Sequence, residues 1–227
     1  MKYHAVIFDL GGTLIDQSTW GDQADYVGQM ADALGVAREE FLRVWRDTYA
    51  ERTTGALGSV EDGIRYICRH LNAPVDEGRI AIAANIPFEI TKRWVMAPNK
   101  DAVPVLQDIK SRGLKTGLLS NWSSHLPLVW KESPLEPVID AAVFSCSVGL
   151  MKPDPSFFVL AAERLRVAPP ACLYVADGMD GELSAASGVG MTAVMIRYPN
   201  VADENPYREE WGGAVISSLR EVLDLVK

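Results

Sequence analysis

The sequence predicts an α/β fold with a doubly wound parallel sheet, and the arrangement of apolar residues is the first reason. Short apolar runs alternate with helical patterns, as expected for repeated strand–helix units. The runs are almost continuously apolar, which is typical of parallel strands that helices cover on both faces. The predicted strands are 4–8, 114–119, 141–145, 172–176 and 192–196.

The predicted helices between these strands repeat apolar residues at helical spacing. They cover 100–112, about 123–132, 155–166 and 181–188. A last helix is predicted over about 213–226, where four apolar residues share one face: Val215, Leu219, Val222 and Leu225.

One long segment interrupts the alternation and predicts a second domain. Between about 17 and 97 there is no convincing buried strand, and helical patterns cover 21–34, 38–51, 59–71 and 77–94. We therefore predict an α/β core domain built from 1–16 and 98–227, with a helical cap domain, 17–97, inserted after the first strand. Ligands of open α/β sheets bind beyond the carboxyl ends of the strands, so this domain would cover the site as a lid.

Composition restricts the classes of partner. The 227 residues carry a net charge of −8, which argues against nucleic acid and anionic membranes because no excess of Lys or Arg neutralises phosphates. A small anionic substrate needs only one or two local donors. We expect a cytoplasmic protein, since no signal-peptide pattern or membrane-length apolar run is evident.

Cys68, Cys146 and Cys172 lack CxxC spacing and are expected to be free, buried side chains. The oligomeric state stays open.

The stretch VIFDLGGTLID, residues 6–16, places Asp9 at the carboxyl end of the first strand, directly before Leu10, Gly11 and Gly12. Glycines allow a sharp turn and a close approach to a ligand, and exposed backbone N–H groups of such a loop form an anion cradle. A carboxylate beside an anion cradle indicates that it attacks the anion or holds a cation against it. Taken alone, Asp9 is equally consistent with a helix cap or a turn.

Polar residues also follow two other strands. Ser120 and Asn121 end the second strand before a helix, where they either cap the helix or bind an oxyanion at its N-terminus. Lys152 lies in a loop before Pro153, and a lone loop lysine is usually solvated. Its position between two other strand-end motifs makes it a candidate for the same site.

An acidic pair follows the fourth strand. Asp177 and Glu182 lie five positions apart across a Gly-rich turn and can converge on a cation. Carboxylates that leave room for water and a substrate phosphate suit Mg²⁺. Asp180 lies in the same turn and is expected to be a surface cap.

These motifs, in this order around a helical insertion, resemble the haloacid dehalogenase (HAD) superfamily of hydrolases, in its helical-cap (C1-type) subgroup. The resemblance covers nearly the whole chain and implies a Rossmann-like core. It implies that Asp9 is the nucleophile, that Ser120 binds the phosphoryl group, and that Lys152 neutralises charge on both. It also implies a Mg²⁺ site made of Asp9, the backbone carbonyl of Gly11, Asp177 and Glu182, the last directly or through a second-shell contact. Together with the loop and helix N–H groups considered above, the candidate substrate- or phosphate-binding residues are Leu10, Gly11, Gly12, Ser120, Asn121 and Lys152, with Arg52 as a weaker candidate.

The implied activity is Mg²⁺-dependent hydrolysis of a small phosphate ester through an aspartyl-phosphate at Asp9. The sequence departs from the family at Gly11, where most family phosphatases carry the Asp that protonates the leaving oxygen and then activates water. Three interpretations stay open: a phosphatase helped by water or a lid residue, a 2-haloacid dehalogenase whose leaving halide needs no proton, and a phosphate-ligand binder without turnover. Dehalogenases of the family usually carry an aromatic residue at this position and need no metal, so the acidic pair favours the phosphatase.

The predicted lid offers several side chains that could reach a substrate: Trp20, Tyr26, Trp45, Tyr49, Arg52 and Arg93. Tryptophans at helical spacing more often belong to a core. Arg52 precedes Thr53 and Gly55 in what the sequence predicts to be a lid loop. His70 and His125 show no partner in the sequence and are expected on the surface or at helix caps.

Overall fold

The computed structural model of the protein describes residues 2–15, 25–199 and 208–227. These residues form one six-stranded sheet in which every neighbouring pair of strands is parallel. The strands are β1 (Ala5–Phe8), β2 (Lys115–Ser120), β3 (Ala141–Phe144), β4 (Cys172–Ala176), β5 (Thr192–Ile196) and β6 (Ala214–Ile216). Their order is β3-β2-β1-β4-β5-β6, which confirms the predicted doubly wound α/β class.

The order of the strands places a ligand-binding crevice at β1. From β1 the chain adds β2 and β3 on one side, and β4, β5 and β6 on the other. Phe8, the last residue of β1, is in register with Leu118 of β2 and Val175 of β4. Ligands of open α/β sheets bind where the strand order reverses in this way. The residues that follow β1, β2 and β4 therefore meet at one edge of the sheet.

Both faces of the sheet are covered, which explains the continuous apolar runs. Val6 and Phe8 pack into one hydrophobic cluster, whereas Ala5 and Ile7 pack into the cluster on the opposite face. All four are completely buried. Alternate residues of a strand point to opposite faces, so a strand with no solvent face needs apolar residues at every position.

The segment between β1 and β2 is helical in its described part. Its helices are α1 (Tyr26–Leu34), α2 (Arg38–Asp47), α3 (Tyr49–Thr53), α4 (Val60–His70), α5 (Glu77–Met96) and α6 (Ala102–Ser111). The predicted helix 38–51 is divided at Thr48, and Arg52 lies in α3 rather than in a loop. The start of α4 is fixed by a capping box, in which Ser59 and Asp62 each satisfy the other's backbone N–H.

Helices α1 to α5 have a hydrophobic cluster of their own. It includes the completely buried Met30, Phe41, Ile64 and Ile67, which are separate from the two clusters on the sheet. A group of helices with its own core is what an inserted domain requires. The domain limits 1–16, 17–97 and 98–227 stay a prediction, since residues 16–24 lie outside the described ranges.

The remaining helices flank the later strands. They are α7 (Leu126–Trp130), α8 (Ser145–Val148), α9 (Pro155–Leu165), α10 (Glu182–Gly188) and α11 (Val222–Leu225). The predicted helix over 213–226 is wrong in its first part, where Ala214–Ile216 is strand β6. Pairing with β5 gives this backbone its hydrogen bonds, and Arg197 N–H donates to the Ile216 carbonyl at 2.9 Å. Tertiary pairing has therefore outweighed the helical spacing of the apolar residues.

Two further expectations concern single features of the described chain. None of its helices combines the length and the apolar character that a membrane crossing requires. Cys68, Cys146 and Cys172 are free, as expected, although Cys146 is only half-buried.

Candidate active site

A buried lysine lies between two carboxylates at the edge of the sheet. Lys152 Nζ donates to Asp9 Oδ1, and it also donates to Glu182 Oε2 at 2.6 Å. Its side chain is 3% exposed, and those of Asp9 and Glu182 are 10% and 1% exposed. Burial by itself would lower the pKa of Lys152, but the charges of Asp9 and Glu182 outweigh it and raise the pKa. The amine is therefore protonated at neutral pH.

Asp9 stands at the end of β1 and faces a cavity. Its backbone N–H donates to the Val175 carbonyl at 3.0 Å, which continues the β1–β4 pairing and fixes the direction of the carboxylate. The cavity has a volume of about 190 Å³ and is also lined by Ser120 and Asp177. Burial raises the pKa of Asp9, and the ion pair with Lys152 opposes that rise. Lys152 contacts Oδ1, so Oδ2 is the oxygen that can approach a substrate without breaking the ion pair.

Three carboxylates crowd together in this cavity. Oxygens of Asp9, Asp177 and Glu182 lie within 4.8 Å of one another. Burial, together with the negative charge of Asp9, raises the pKa of Asp177 to about 6. Carboxylate oxygens are hard ligands that suit Mg²⁺, and an excess of buried negative charge is relieved by a cation. The donor set therefore fits a magnesium ion.

Glu182 fits direct metal binding less well than Asp9 and Asp177 do. Its Oε2 accepts from Lys152 and from the Tyr174 hydroxyl, the latter at 2.7 Å, and its Oε1 accepts from the Gly178 N–H at 3.2 Å. Both oxygens are thus already used inside the protein. The contacts suit a residue that holds Lys152 in place and acts on a metal indirectly.

Asn121, predicted to bind phosphate, positions other residues through its side chain. Its Oδ1 accepts from the backbone N–H of Lys152 at 2.8 Å, and its Nδ2 donates to the Lys152 carbonyl at 3.2 Å. The same Nδ2 donates to Asp180 Oδ2 at 2.8 Å. This one amide therefore joins the end of β2 to the loops that carry Lys152 and Asp180.

Asp180 is a site residue that the sequence analysis missed, since it was expected on the surface. It lines the cavity of Asp9, and its Oδ2 also accepts from the Tyr49 hydroxyl of α3 at 3.3 Å. Its φ of 56° is in the left-handed region, which Asp tolerates better than most residues. The signal in the sequence was its place in the Gly-rich turn beside Asp177.

The loop after Asp9 agrees only in part with the predicted anion cradle. Gly12 has a φ of 76°, which a glycine accommodates without strain, but its N–H donates to the Ile15 carbonyl at 2.7 Å. That N–H is used inside the turn and is not free for a phosphate. The side chain of Leu10 is completely buried in the core. Gly11 is the residue of the three that lines the cavity.

Some of the expected lid residues line a cavity and others do not. Tyr26, Trp45, Tyr49 and Arg52 line a second cavity beside that of Asp9, whereas Arg93 is exposed and does not line it. Trp20 lies outside the described residues, and His70 is exposed as expected.

His125 is the N-cap residue of α7, as expected, but its side chain makes no capping hydrogen bond and is not on the surface. It is 8% exposed, and its Nε2 lies 2.8 Å from Thr91 Oγ1 and 3.1 Å from Trp122 Nε1. Burial, and then the charge of Arg52, lowers the pKa of His125 to about 4, so the ring is neutral at pH 7. Its partners come from α5 and from the end of β2, and nothing in the local sequence indicates that these segments meet.

A family comparison agrees with this geometry. The model of the haloacid dehalogenase-like hydrolases matches residues 3–190. The chain belongs to this family. The order of the sheet and the carboxylate at the end of β1 are thus those of a HAD-like hydrolase, and the predicted resemblance is confirmed.

Relatives of this HAD-like hydrolase include two kinds of enzyme. The glyceraldehyde 3-phosphate phosphatase of Methanopyrus kandleri is 26% identical over 235 residues, which cover 98% of this chain and 97% of the relative. The (S)-2-haloacid dehalogenase of Pseudomonas sp. (strain YL) is also 26% identical, over 224 residues that cover 97% of this chain and 93% of the relative. Identity therefore does not separate a phosphatase from a dehalogenase.

A solved structure shares the fold. A HAD family enzyme of Bacteroides thetaiotaomicron, crystallised as a complex with magnesium and inorganic phosphate, superposes with a TM-score of 0.64. It is 16% identical and covers 92% of this chain and 98% of its own.

The crowded carboxylates give a prediction on stability. The pKa of Asp177, about 6 in the folded state, lies above the ordinary value of 3.8, so the metal-free protein loses stability as the pH rises from about 4 to about 6. In excess chelator at pH 7.5, Asp177→Asn should raise the free energy of unfolding by about 1–3 kcal/mol. The gain should vanish near pH 4, where the carboxyl is neutral in both states. Urea unfolding at the two pH values measures it.

Asp108→Asn is the matched control, because Asp108 is exposed and lies on α6. The control should leave stability unchanged at both pH values. Equal stability of wild type and Asp177→Asn in chelator at pH 7.5 would show that Asp177 carries no charge penalty.

Proposed function

We propose that this HAD-like hydrolase is a Mg²⁺-dependent phosphatase that hydrolyses a small phosphate ester through an aspartyl-phosphate at Asp9. The observation that carries the proposal is the joint burial of Lys152 with the carboxylates of Asp9, Asp177 and Glu182 around one cavity. A carboxylate nucleophile and a phosphate repel each other, so their reaction requires nearby positive charge. Lys152 supplies one such charge, and the acidic cluster would hold another.

The metal ligands in this proposal are Asp9, Asp177 and the backbone carbonyl of Gly11, with Glu182 acting indirectly through Lys152. Asp177 is 2% exposed and lines the cavity with Gly11. When bound, Mg²⁺ polarises a phosphoryl oxygen and offsets the repulsion between nucleophile and substrate. The raised pKa of Asp177 supports this assignment, because a cation would relieve the penalty that raises it.

The protein's own groups carry the two chemical steps. In the first, Asp9 Oδ2 attacks phosphorus, a bond from Asp9 to phosphorus forms, and the bond to the leaving oxygen breaks. Lys152 remains bound to Asp9 Oδ1 and lies beside the incoming phosphoryl group, where Ser120 offers a hydroxyl. In the second step water attacks the same phosphorus, which releases phosphate and restores the carboxylate. Forming the covalent intermediate divides one difficult displacement into two easier ones.

The leaving oxygen needs a proton, and Gly11 offers none. Water is one source. Asp180 is a second candidate, as a relay that accepts a proton from water and passes it to the leaving oxygen, because its carboxylate lines the cavity and its negative charge raises the pKa of the nearby Asp9. Tyr49 and Asn121 both bind Oδ2 of Asp180, so Oδ1 is the oxygen with which it would assist.

A 2-haloacid dehalogenase is the second candidate, and Gly11 is the observation that favours it, since a halide leaves without a proton. The acidic cluster argues against it. A haloacid carries its own carboxylate, which would enter a cavity already lined by Asp9, Asp177 and Asp180. Like charges buried together are costly unless a cation lies between them.

A phosphate-ligand binder that has lost turnover is the third candidate, and it would bind Mg²⁺ and a phosphate ester without forming product.

Helices α1 to α5 serve as the cap in this proposal. The cap contacts the core through Tyr49 and Asp180, and Ser145 Oγ donates to the Thr53 carbonyl at 2.7 Å. These contacts hold the end of α3 over the cavity of Asp9. Exclusion of water by such a lid strengthens the electrostatic interactions beneath it.

Asp9→Asn tests the nucleophile. The change removes the attacking oxygen while it barely alters the volume of the side chain, so hydrolysis of nitrophenyl phosphate should fall below a few per cent of wild type. Circular dichroism and urea unfolding serve as the check that the fold is intact. Substantial turnover by a folded Asp9→Asn protein would rule out the aspartyl-phosphate.

Metal dependence separates the two hydrolase candidates. Excess chelator should abolish phosphatase activity, and Asp177→Ala should raise the Mg²⁺ concentration for half-maximal activity by roughly ten- to hundredfold. Glu182→Gln should instead lower kcat with a smaller change in that concentration, because Glu182 acts through Lys152. Release of halide from a 2-haloacid at an equal rate in chelator would identify a dehalogenase.

The leaving group tests what replaces the acid at position 11. General acid catalysis is typically worth about 10²–10⁴-fold, and an alkyl ester needs it far more than a nitrophenyl ester. We expect kcat/KM for nitrophenyl phosphate to exceed that for an alkyl phosphate by such a factor. Gly11→Asp should reduce this ratio by improving the alkyl ester. The backbone of Gly11 is outside the positive-φ region that Gly12 occupies, so its φ does not oppose a side chain there.

A wild-type ratio near one would mean that another group already donates the proton. Asp180→Asn would then identify it: loss of the alkyl ester alone assigns the proton to Asp180, and an unchanged ratio assigns it to water.

A further inference from the structure

A second cavity adjoins that of Asp9 and has a different character. Its volume is about 150 Å³, and it shares Tyr49, Asn121 and Trp122 with the first, so the two lie side by side. Its walls are aromatic and apolar and come from both the helical segment and the core. They include Tyr26, Trp45, Ile90, Trp94 and Trp122. A planar apolar group fits between such walls.

A buried arginine lies in this aromatic cavity. Arg52 is 9% exposed, and its guanidinium stacks on Trp45 with Cζ 3.5 Å from the ring centre. Nη2 donates to the Trp45 carbonyl at 2.6 Å, and Nε donates to Thr48 Oγ1 at 3.3 Å. Within the described residues no carboxylate forms an ion pair with Arg52, and Nη1 has no acceptor. Burial lowers the pKa of Arg52 only to about 10, so the group keeps its charge at neutral pH.

An unpaired buried cation is costly, and proteins normally pair such groups. Stacking on Trp45 and two neutral hydrogen bonds offset part of the cost. An anion that reaches Nη1 would offset the rest. The charge of Arg52 therefore indicates an anionic ligand rather than a purely apolar one.

His125 lines the same cavity as a neutral ring whose Nε2 is already used. The indole N–H of Trp122 can only donate, so His125 Nε2 is the acceptor of that hydrogen bond and the ring proton lies on Nδ1. Nδ1 is buried and makes no hydrogen bond with any residue of the described ranges. Nη1 of Arg52 is thus the donor in this cavity that an anionic ligand can use.

We propose that this cavity binds the leaving group of the substrate, and that the leaving group is a planar aromatic ring with a carboxylate at its far end. The aromatic walls hold the ring, while Arg52 binds the carboxylate. The phosphate of the same molecule lies in the adjoining cavity beside Asp9 and Lys152. The inference rests on the proposed phosphatase function and names its substrate class, the carboxylated aryl phosphates.

The missing acid at Gly11 supports this class independently. A phenolate leaves with far less need of a proton than an alkoxide does, so an aryl ester suits a site without the usual acid. The shape of the second cavity and the chemistry of the first therefore favour the same kind of leaving group.

Binding of two non-hydrolysable analogues tests the inference. Phenylphosphonate and 4-carboxyphenylphosphonate differ only in the carboxylate, and calorimetry with Mg²⁺ present gives the affinity of each. The wild-type protein should bind the carboxylated compound roughly ten- to hundredfold more tightly, as expected for hydrogen bonds to a charged group. Arg52→Met should reduce this preference to less than about threefold. Methionine fills the same space against Trp45 and removes the unpaired charge, so the fold should be retained.

Arg93→Met is the matched control, since Arg93 lies in α5, is exposed and does not line the cavity. The preference should survive this change. Equal affinity of the two phosphonates for wild type would overturn the inference without any variant. A preference that Arg52→Met leaves intact would overturn the role of Arg52.

Failure of the inference and failure of the proposed function give different results. If neither phosphonate binds and phenyl phosphate is not hydrolysed with Mg²⁺, the phosphatase proposal is wrong, and the inference on its substrate class is wrong as well. If phenyl phosphate is hydrolysed and the two phosphonates bind equally, the phosphatase stands and the carboxylate site is wrong.

Discussion

The ion pairs of Lys152 with Asp9 and Glu182 are the interaction on which the site depends. They join three parts of the chain that are far apart in sequence: the end of β1, the loop before α9 and the first turn of α10. Removing one member of a buried ion pair typically costs about 3–5 kcal/mol, because a charge is left without a partner in a dry environment. The lysine therefore fixes the geometry of the carboxyl edge as much as it supplies charge for chemistry.

Around this lysine the protein maintains an excess of negative charge. Lys152 neutralises one unit, whereas Asp9, Asp177 and Glu182 together bring three carboxylates within 4.8 Å. The raised pKa of Asp177 is the physical cost of that arrangement. Apolar groups would stabilise a fold at less cost, so this buried charge supports the proposed cation and anionic ligand at the edge of the sheet.

The two adjoining cavities differ in the chemistry of their walls. The cavity of Asp9 is polar and is made mainly by strand ends, whereas the cavity of Arg52 is aromatic and is made by the helical segment together with the residues after β2. Tyr49 and Asn121 line both, and each binds Asp180. A shift of the helical segment would therefore change the surroundings of Asp180, because the hydrogen bond from Tyr49 joins this segment to the carboxyl edge of the sheet.

The sequence by itself determined the sheet, five of its six strands and the residues at their ends, because local apolar runs and short motifs report burial and turns directly. It also gave the order of Asp9, Ser120, Lys152 and Asp177 along the chain. Tertiary structure decided which groups are left for a ligand: the Asn121 amide and the Gly12 N–H are used within the protein, whereas Asp180 lines the cavity. It also made β6 a strand and buried Arg52 and His125 together. These outcomes depend on contacts between residues that are distant in sequence, and a local pattern carries no record of such contacts.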